Sequence, residues 1–145
     1  MKFYFLTKDF FEEYNYCEQM EKKQNRPHAC TTLVEYNGVT FAIPLRSHIK
    51  HEYAIFTNKD KTKGLDLTKA VIINDLVKFI DNKTHVFIDE AEYKFLLGKE
   101  HFLLTKLESY IKKYKKALKK PEIPKNKLLL EYSTLQYFHK ELNIE

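Results

Sequence analysis

The chain has 145 residues, of which 43% are hydrophobic, 31% charged and 14% aromatic, with a formal net charge of +5. That length suits a single domain over residues 1–145 with a core of ordinary size, and the aromatic content excludes a disordered chain. No apolar run reaches the roughly 20 residues that span a bilayer, and Met1-Lys2-Phe3-Tyr4-Phe5 is too short and aromatic for a signal peptide, so a cytoplasmic protein without a membrane partner is expected.

Lys2 to Leu6 is an unbroken apolar and aromatic run that predicts a buried strand, and Thr7 or Asp9 can cap a helix from near Phe10 to about Lys23. Asn25-Arg26-Pro27 breaks that helix, because proline biases the residue before it toward extended backbone. Ala29 to Tyr36 and Val39 to Pro44 flank Asn37-Gly38, the dipeptide best suited to a two-residue hairpin turn with positive φ at both central positions. Pro44 is expected to end the pairing and leave Leu45 to His51 as a polar loop.

Glu52 to Phe56 predicts a short strand, Asn58 to Gly64 a lysine-rich loop, and Ala70 to Ile73 a β-branched strand before a turn at Asn74-Asp75. Leu76 to Ile80 and His85 to Ile88 are apolar runs, one or both of them expected as strands around Asp81-Asn82. From Glu90 the period changes. Leu96, Leu103, Leu107, Tyr110, Tyr114 and Leu118 recur at three, four or seven, predicting one long amphipathic helix that Pro121 and Pro124 stop. A last helix is expected over about Leu128 to Leu142. The fold class is α+β: an antiparallel sheet surrounded by helices, with a long basic helix toward the C-terminus.

The positive charge is unevenly placed. Nine lysines stand between Lys106 and Lys127 against Glu108 and Glu122, which leaves the rest of the chain net negative. Lys112, Lys115, Lys116 and Lys119 follow i, i+3, i+4, i+7 and share a helix face away from the apolar stripe. With Tyr110 and Tyr114 nearby, such a face suits phosphate contacts and base stacking; it equally suits simple solvation.

Residues 46–51 concentrate reactive groups: Arg46, Ser47, His48, Lys50 and His51 follow directly on a hydrophobic strand. Cleaving RNA without a metal requires a base for the ribose 2′-hydroxyl, an acid for the leaving 5′-oxygen and stabilisation of phosphorane charge. Histidine supplies proton transfer near neutrality, arginine and lysine stabilise negative charge, and Ser47 can hydrogen-bond a phosphate oxygen. The competing account is a solvated basic loop.

His48-x-x-His51 has a metal-ligand spacing, but Glu52 is its only neighbouring acid, and His28-x-Cys30 reads as a packed histidine beside a small buried thiol, so no metal is expected. Ser47-His48 lacks the G-x-S-x-G elbow of a hydrolase. Three glycines, at 38, 64 and 98, build neither a Walker loop nor a dinucleotide fingerprint, and no cofactor is expected. Two cysteines, Cys17 and Cys30, do not make a disulfide scaffold.

Lys2-Phe3-Tyr4, Arg26-Pro27-His28, the Asn37-Gly38 hairpin, Phe41 through His51, and Gly64-Leu65-Asp66-Leu67-Thr68-Lys69-Ala70-Val71-Ile72-Ile73 together resemble the ToxN/AbiQ superfamily of type III toxin–antitoxin endoribonucleases, and its TenpN branch most closely. The likeness covers about the first half of the chain. It implies a compact, highly twisted antiparallel sheet and sequence-selective, metal-independent RNA cleavage leaving 2′,3′-cyclic phosphates. It also implies inhibition by a cognate repeat RNA antitoxin, folded into pseudoknots and assembled with toxin subunits into a cyclic or higher-order complex.

By position Ser47 resembles the family's active-site serine, Lys50 the lysine that follows it, and Arg46 stands where better-known members have threonine. The lysine is one residue further from the serine than in the ToxN pattern, which leaves its role open among His48, Lys50 and His51. Arg26 or His28 matches a basic residue before the hairpin strand. A tyrosine of some members falls near Phe10, leaving Tyr4 or Tyr14 as substitutes. Two rival readings stay open: a non-catalytic RNA-binding module, and a partner-binding domain with incidental lysines.

Overall fold

The computed structural model describes residues 1–15, 17, 19 and 30–144. Strand β1 (Tyr4–Leu6) leads into α1 (Lys8–Glu13), whose N-cap Thr7 accepts from the Phe10 N–H. Phe10 is buried and meets Phe79 edge-on at 5.5 Å. The helix is shorter than expected, ending at Glu13, because Tyr14 leaves helical geometry and packs its ring on Phe10 at 4.8 Å and Phe138 at 5.7 Å. The break expected at Asn25-Arg26-Pro27 lies outside the described residues.

The hairpin forms as the sequence requires. Strands β2 (Cys30–Tyr36) and β3 (Val39–Arg46) pair from Tyr36↔Val39 to Thr31↔Pro44, and Asn37 and Gly38 both have positive φ, 52° and 77°. Pro44 does not end β3, which continues to Arg46. On its far side β3 pairs through Phe41 and Ala42 with β6 (Val71–Ile72) and through Leu45 and Arg46 with β5 (Gly64–Asp66). Pro44 falls in the gap between these two partners, where a missing donor costs that edge nothing.

Strand β4 (Ala54–Phe56) pairs with β5, whose Gly64 is sterically required: a Cβ there would overlap the Ile55 carbonyl oxygen. Of the two apolar runs of which one or both were expected as strands, Leu76 to Ile80 is mostly one helical turn, α2 (Leu76–Phe79), because Asp75 caps it by accepting from the Lys78 N–H. The following strand is only β7 (Ile80–Asp81), and residues 85–88 form neither helix nor strand. Among the described residues the sheet runs β4-β5-β3-β2-β1-β7, with β6 beside β3, and every pairing is antiparallel.

The expected single helix from Glu90 is two, α3 (Glu90–Leu96) and α4 (Glu100–Lys119), divided at Gly98, whose φ of 73° a continuing helix does not accept. The apolar stripe of α4 is the one read from the period: Leu103, Leu107, Tyr110 and Tyr114 are buried, with Ile111 and Ala117 beside them. Pro124 starts α5 (Pro124–Tyr132) rather than merely stopping its predecessor, because proline's missing N–H is harmless at a first helical position. The last helix therefore ends early. Ser133 turns the chain, its hydroxyl accepting from Tyr110 Oη at 2.7 Å and from the Leu135 N–H at 3.2 Å, and a short 3-10 turn over Thr134–Tyr137 follows. The result is a mixed α+β architecture, and among the described residues no helix is long and apolar enough to cross a membrane.

Candidate functional site

The sheet ends at one buried charge. Asp66, the last residue of β5, is fully buried and caps the 3-10 turn Leu67–Lys69. Its Oδ1 accepts from the Thr68 N–H at 2.9 Å and the Thr68 hydroxyl at 2.6 Å, and its Oδ2 from Arg46 Nη1 at 3.0 Å. His51 Nε2 stands 3.1 Å from Oδ1. Burial alone would raise the carboxyl's pKa. The hydrogen bond from His51, the Thr68 hydroxyl and the Arg46 guanidinium together outweigh it and hold Asp66 below its ordinary value.

Arg46 reaches this carboxylate because β3 continues past Pro44 and pairs Arg46 with Gly64, two residues from Asp66. His51 is fixed from both sides. The Tyr53 N–H donates to Nδ1 at 3.0 Å, so the neutral ring carries its proton on Nε2, facing Asp66 and, at 3.2 Å, the Thr68 hydroxyl. With both nitrogens engaged, His51 in this state positions the loop and has no spare lone pair for a substrate proton.

Between these anchors the chain turns outward. Ser47 and His48 are exposed, Ser47 Oγ lies 3.2 Å from His48 Nδ1, and His48 has a φ of 59°, in the left-handed region sparsely occupied by side-chain-bearing residues. Ile49 is buried and pins the turn, its N–H donating to the Thr62 carbonyl at 2.9 Å. Lys50 is exposed and takes part in no ion pair among the described residues.

Arg46, Lys50 and His51 line a groove of about 790 Å3 together with Glu52, Tyr53, Lys69, Lys125, Leu128 and Tyr132. Ser47 and His48 do not line it; they stand on the turn between Arg46 and Lys50, which do. Lys69 Nζ is seated on carbonyl oxygens of Gln19 at 2.9 Å and Tyr132 at 3.3 Å, and Lys125 pairs with Glu52 at 2.9 Å. Lys125 and Lys113 hold the exposed Glu52 carboxyl below its ordinary pKa. The groove thus interleaves the cations Arg46, Lys50, Lys69 and Lys125 with the apolar surfaces of Tyr53, Leu128 and Tyr132, a combination suited to a nucleotide's phosphate and base.

The other sequence-derived positions lie elsewhere. Lys112, Lys115, Lys116 and Lys119 are exposed on α4, none lines the groove, and Lys112 is paired with Glu108 at 3.0 Å. Tyr4 lines a separate cavity of about 420 Å3 with Thr32, Glu35 and His101. Arg26 and His28 lie outside the described residues. Cys30 is buried, and burial, aided by Glu92, pushes its thiol up to about 12, which makes it inert. No three His, Cys, Asp or Glu side chains come together as metal ligands among the described residues.

Asp66, Tyr53, Lys69, Lys125 and Tyr132 were not singled out by the sequence reading. The sequence pointed the other way for Asp66: the alternation Leu65-Asp66-Leu67 puts its carboxylate on the face opposite the two leucines, where solvent is expected, and only Thr68 two residues on offers a partner. The others come from segments distant in sequence, and nothing local marks them. No known family model matches the chain, and neither characterised proteins nor solved structures supply a match.

Proposed function

We propose that this protein is a metal-independent endoribonuclease, a toxin of the type III kind that acts in the cytoplasm on RNA and is restrained by a repeat RNA antitoxin. The observation that carries the reading is the groove: Arg46, Lys50, Lys69 and Lys125 converge from separate elements on a space that Tyr53 and Tyr132 wall with aromatic surface. Such a space takes a phosphodiester on its cationic side and a base on its rings.

In this reading the ribose 2′-oxygen forms a bond to phosphorus as the bond to the 5′-oxygen breaks, leaving a 2′,3′-cyclic phosphate and a 5′-hydroxyl. Arg46, held in place by Asp66, stabilises the phosphorane oxygens, and Ser47 donates a hydrogen bond to one of them. His48 and Lys50 handle the proton leaving the 2′-hydroxyl and the one arriving at the 5′-oxygen, and His51 positions the loop. The antitoxin RNA, as a product-like ligand, occupies the same groove.

Incubating the purified protein with mixed single-stranded RNA in EDTA tests this: fragments ending in 2′,3′-cyclic phosphate are expected, and intact RNA contradicts it. A second reading, a non-catalytic RNA-binding module, is favoured by the engaged state of both His51 nitrogens and by the place of Ser47 and His48 off the groove lining. Tight binding without cleavage in the same tube would select it.

A further inference from the structure

The four lysines Lys99, Lys106, Lys113 and Lys120 recur every seventh residue along α4 and its two ends. Seven residues are nearly two turns, so these side chains form a line drifting only about 20° per step, about 10 Å apart along the axis. This line lies on a different flank from Lys112, Lys115, Lys116 and Lys119. Three of its members each sit over an aromatic ring: Lys99 is 4.5 Å from the centroid of Phe95, Lys106 is 5.5 Å from Phe102, and Lys113 is 5.8 Å from Tyr53. Phe95 and Phe102 are 40% and 45% exposed, so each ring presents apolar surface to solvent beside its lysine.

The line has a direction. Tyr53, under Lys113, lines the groove, and Lys113 also acts on Glu52, another groove residue. We infer that the Lys99–Lys106–Lys113 flank of α4, with Phe95 and Phe102, is a track for single-stranded RNA that delivers the strand into the groove at Tyr53. Repeated cation–ring pairs fit a single strand because each offers a charge for a phosphate and a flat apolar surface for an unstacked base. A duplex keeps its bases stacked and has no use for the rings. The inference rests on the RNA reading of the groove but not on cleavage there.

The test measures binding of a fluorescent 15-nucleotide, fully 2′-methoxy RNA, which lacks the nucleophile and so is never cut. Lys106→Glu/Lys113→Glu is compared with the charge-matched Lys115→Glu/Lys119→Glu, all four lysines being exposed. The first pair is expected to lose at least about tenfold in affinity and to flatten the salt dependence by about 0.7 per lysine, the second less than about threefold. Phe102→Ala is expected to weaken binding about fivefold without changing the salt slope. An equal loss in both pairs, no loss in the first, or full competition by a duplex of the same length would overturn the track. Binding that follows these expectations by a protein that cuts no unmodified RNA would leave the track standing and remove only the nuclease reading.

Discussion

The inner and outer residues of the segment from Arg46 to His51 differ in what holds them. Arg46 and His51 face inward onto a fully buried carboxylate and are fixed by it, whereas Ser47 and His48, between them in sequence, are exposed and lie within hydrogen-bond distance of each other. Six residues that look like one reactive cluster are thus a rigid clamp and an outward turn that Ile49 pins. The clamp supplies position and the turn supplies groups with capacity to spare, so proximity in sequence is a poor measure of convergence in space.

The sharpest way to break this contrast is to remove its anchor. Asp66→Ala leaves a half-buried guanidinium and the His51 N–H without their acceptor, and is expected to cost about 3–5 kcal/mol, read as a fall in the urea midpoint. A loss under 1 kcal/mol would mean the clamp is not structural. His51→Ala removes two hydrogen bonds and strands the Tyr53 N–H, with an expected cost of about 1–3 kcal/mol.

Acid reads the same anchor by titration. Asp66 has a folded pKa below its ordinary 3.8, so its stabilising contribution is complete above about pH 5 and is lost as pH falls through 3.8 and on through the folded value. The urea midpoint of the parent should therefore converge on that of Asp66→Asn as pH drops from 6 toward 2.5; a constant gap would mean the carboxylate is not the anchor. At the small end, Ser47→Ala and Lys50→Ala sit in the outward turn and should shift stability by no more than about 0.5 kcal/mol in a thermal melt.

The sequence made some of this contrast legible and hid the rest. The hairpin was readable because Asn37-Gly38 meets a backbone demand that few other residue pairs meet, and the buried stripe of α4 because a 3.6-residue period leaves a regular trace. Local rules failed where tertiary partners decide. Pro44 looked like a terminus because β5 and β6, the strands on the far side of β3, are distant in sequence, and the run from Leu76 was a candidate strand that Asp75 turns into a helix by capping it. Arg46, Lys50 and His51 were identifiable by residue type, but the division of the loop was not, because it is imposed by Asp66 arriving from a strand twenty residues on. Lys125 and Tyr132 reach the groove only because Pro124 starts a helix that folds back on α4.

Lys50 gives the most direct measurement, because it borders the groove, is exposed and takes part in no ion pair among the described residues. Single-turnover cleavage of an RNA oligonucleotide in EDTA by Lys50→Ala, beside the parent, separates chemistry from folding and from binding. A rate lowered about 10²-fold or more, with RNA affinity within tenfold and an unchanged melting temperature, is what the account predicts. A parental rate in that variant would contradict it.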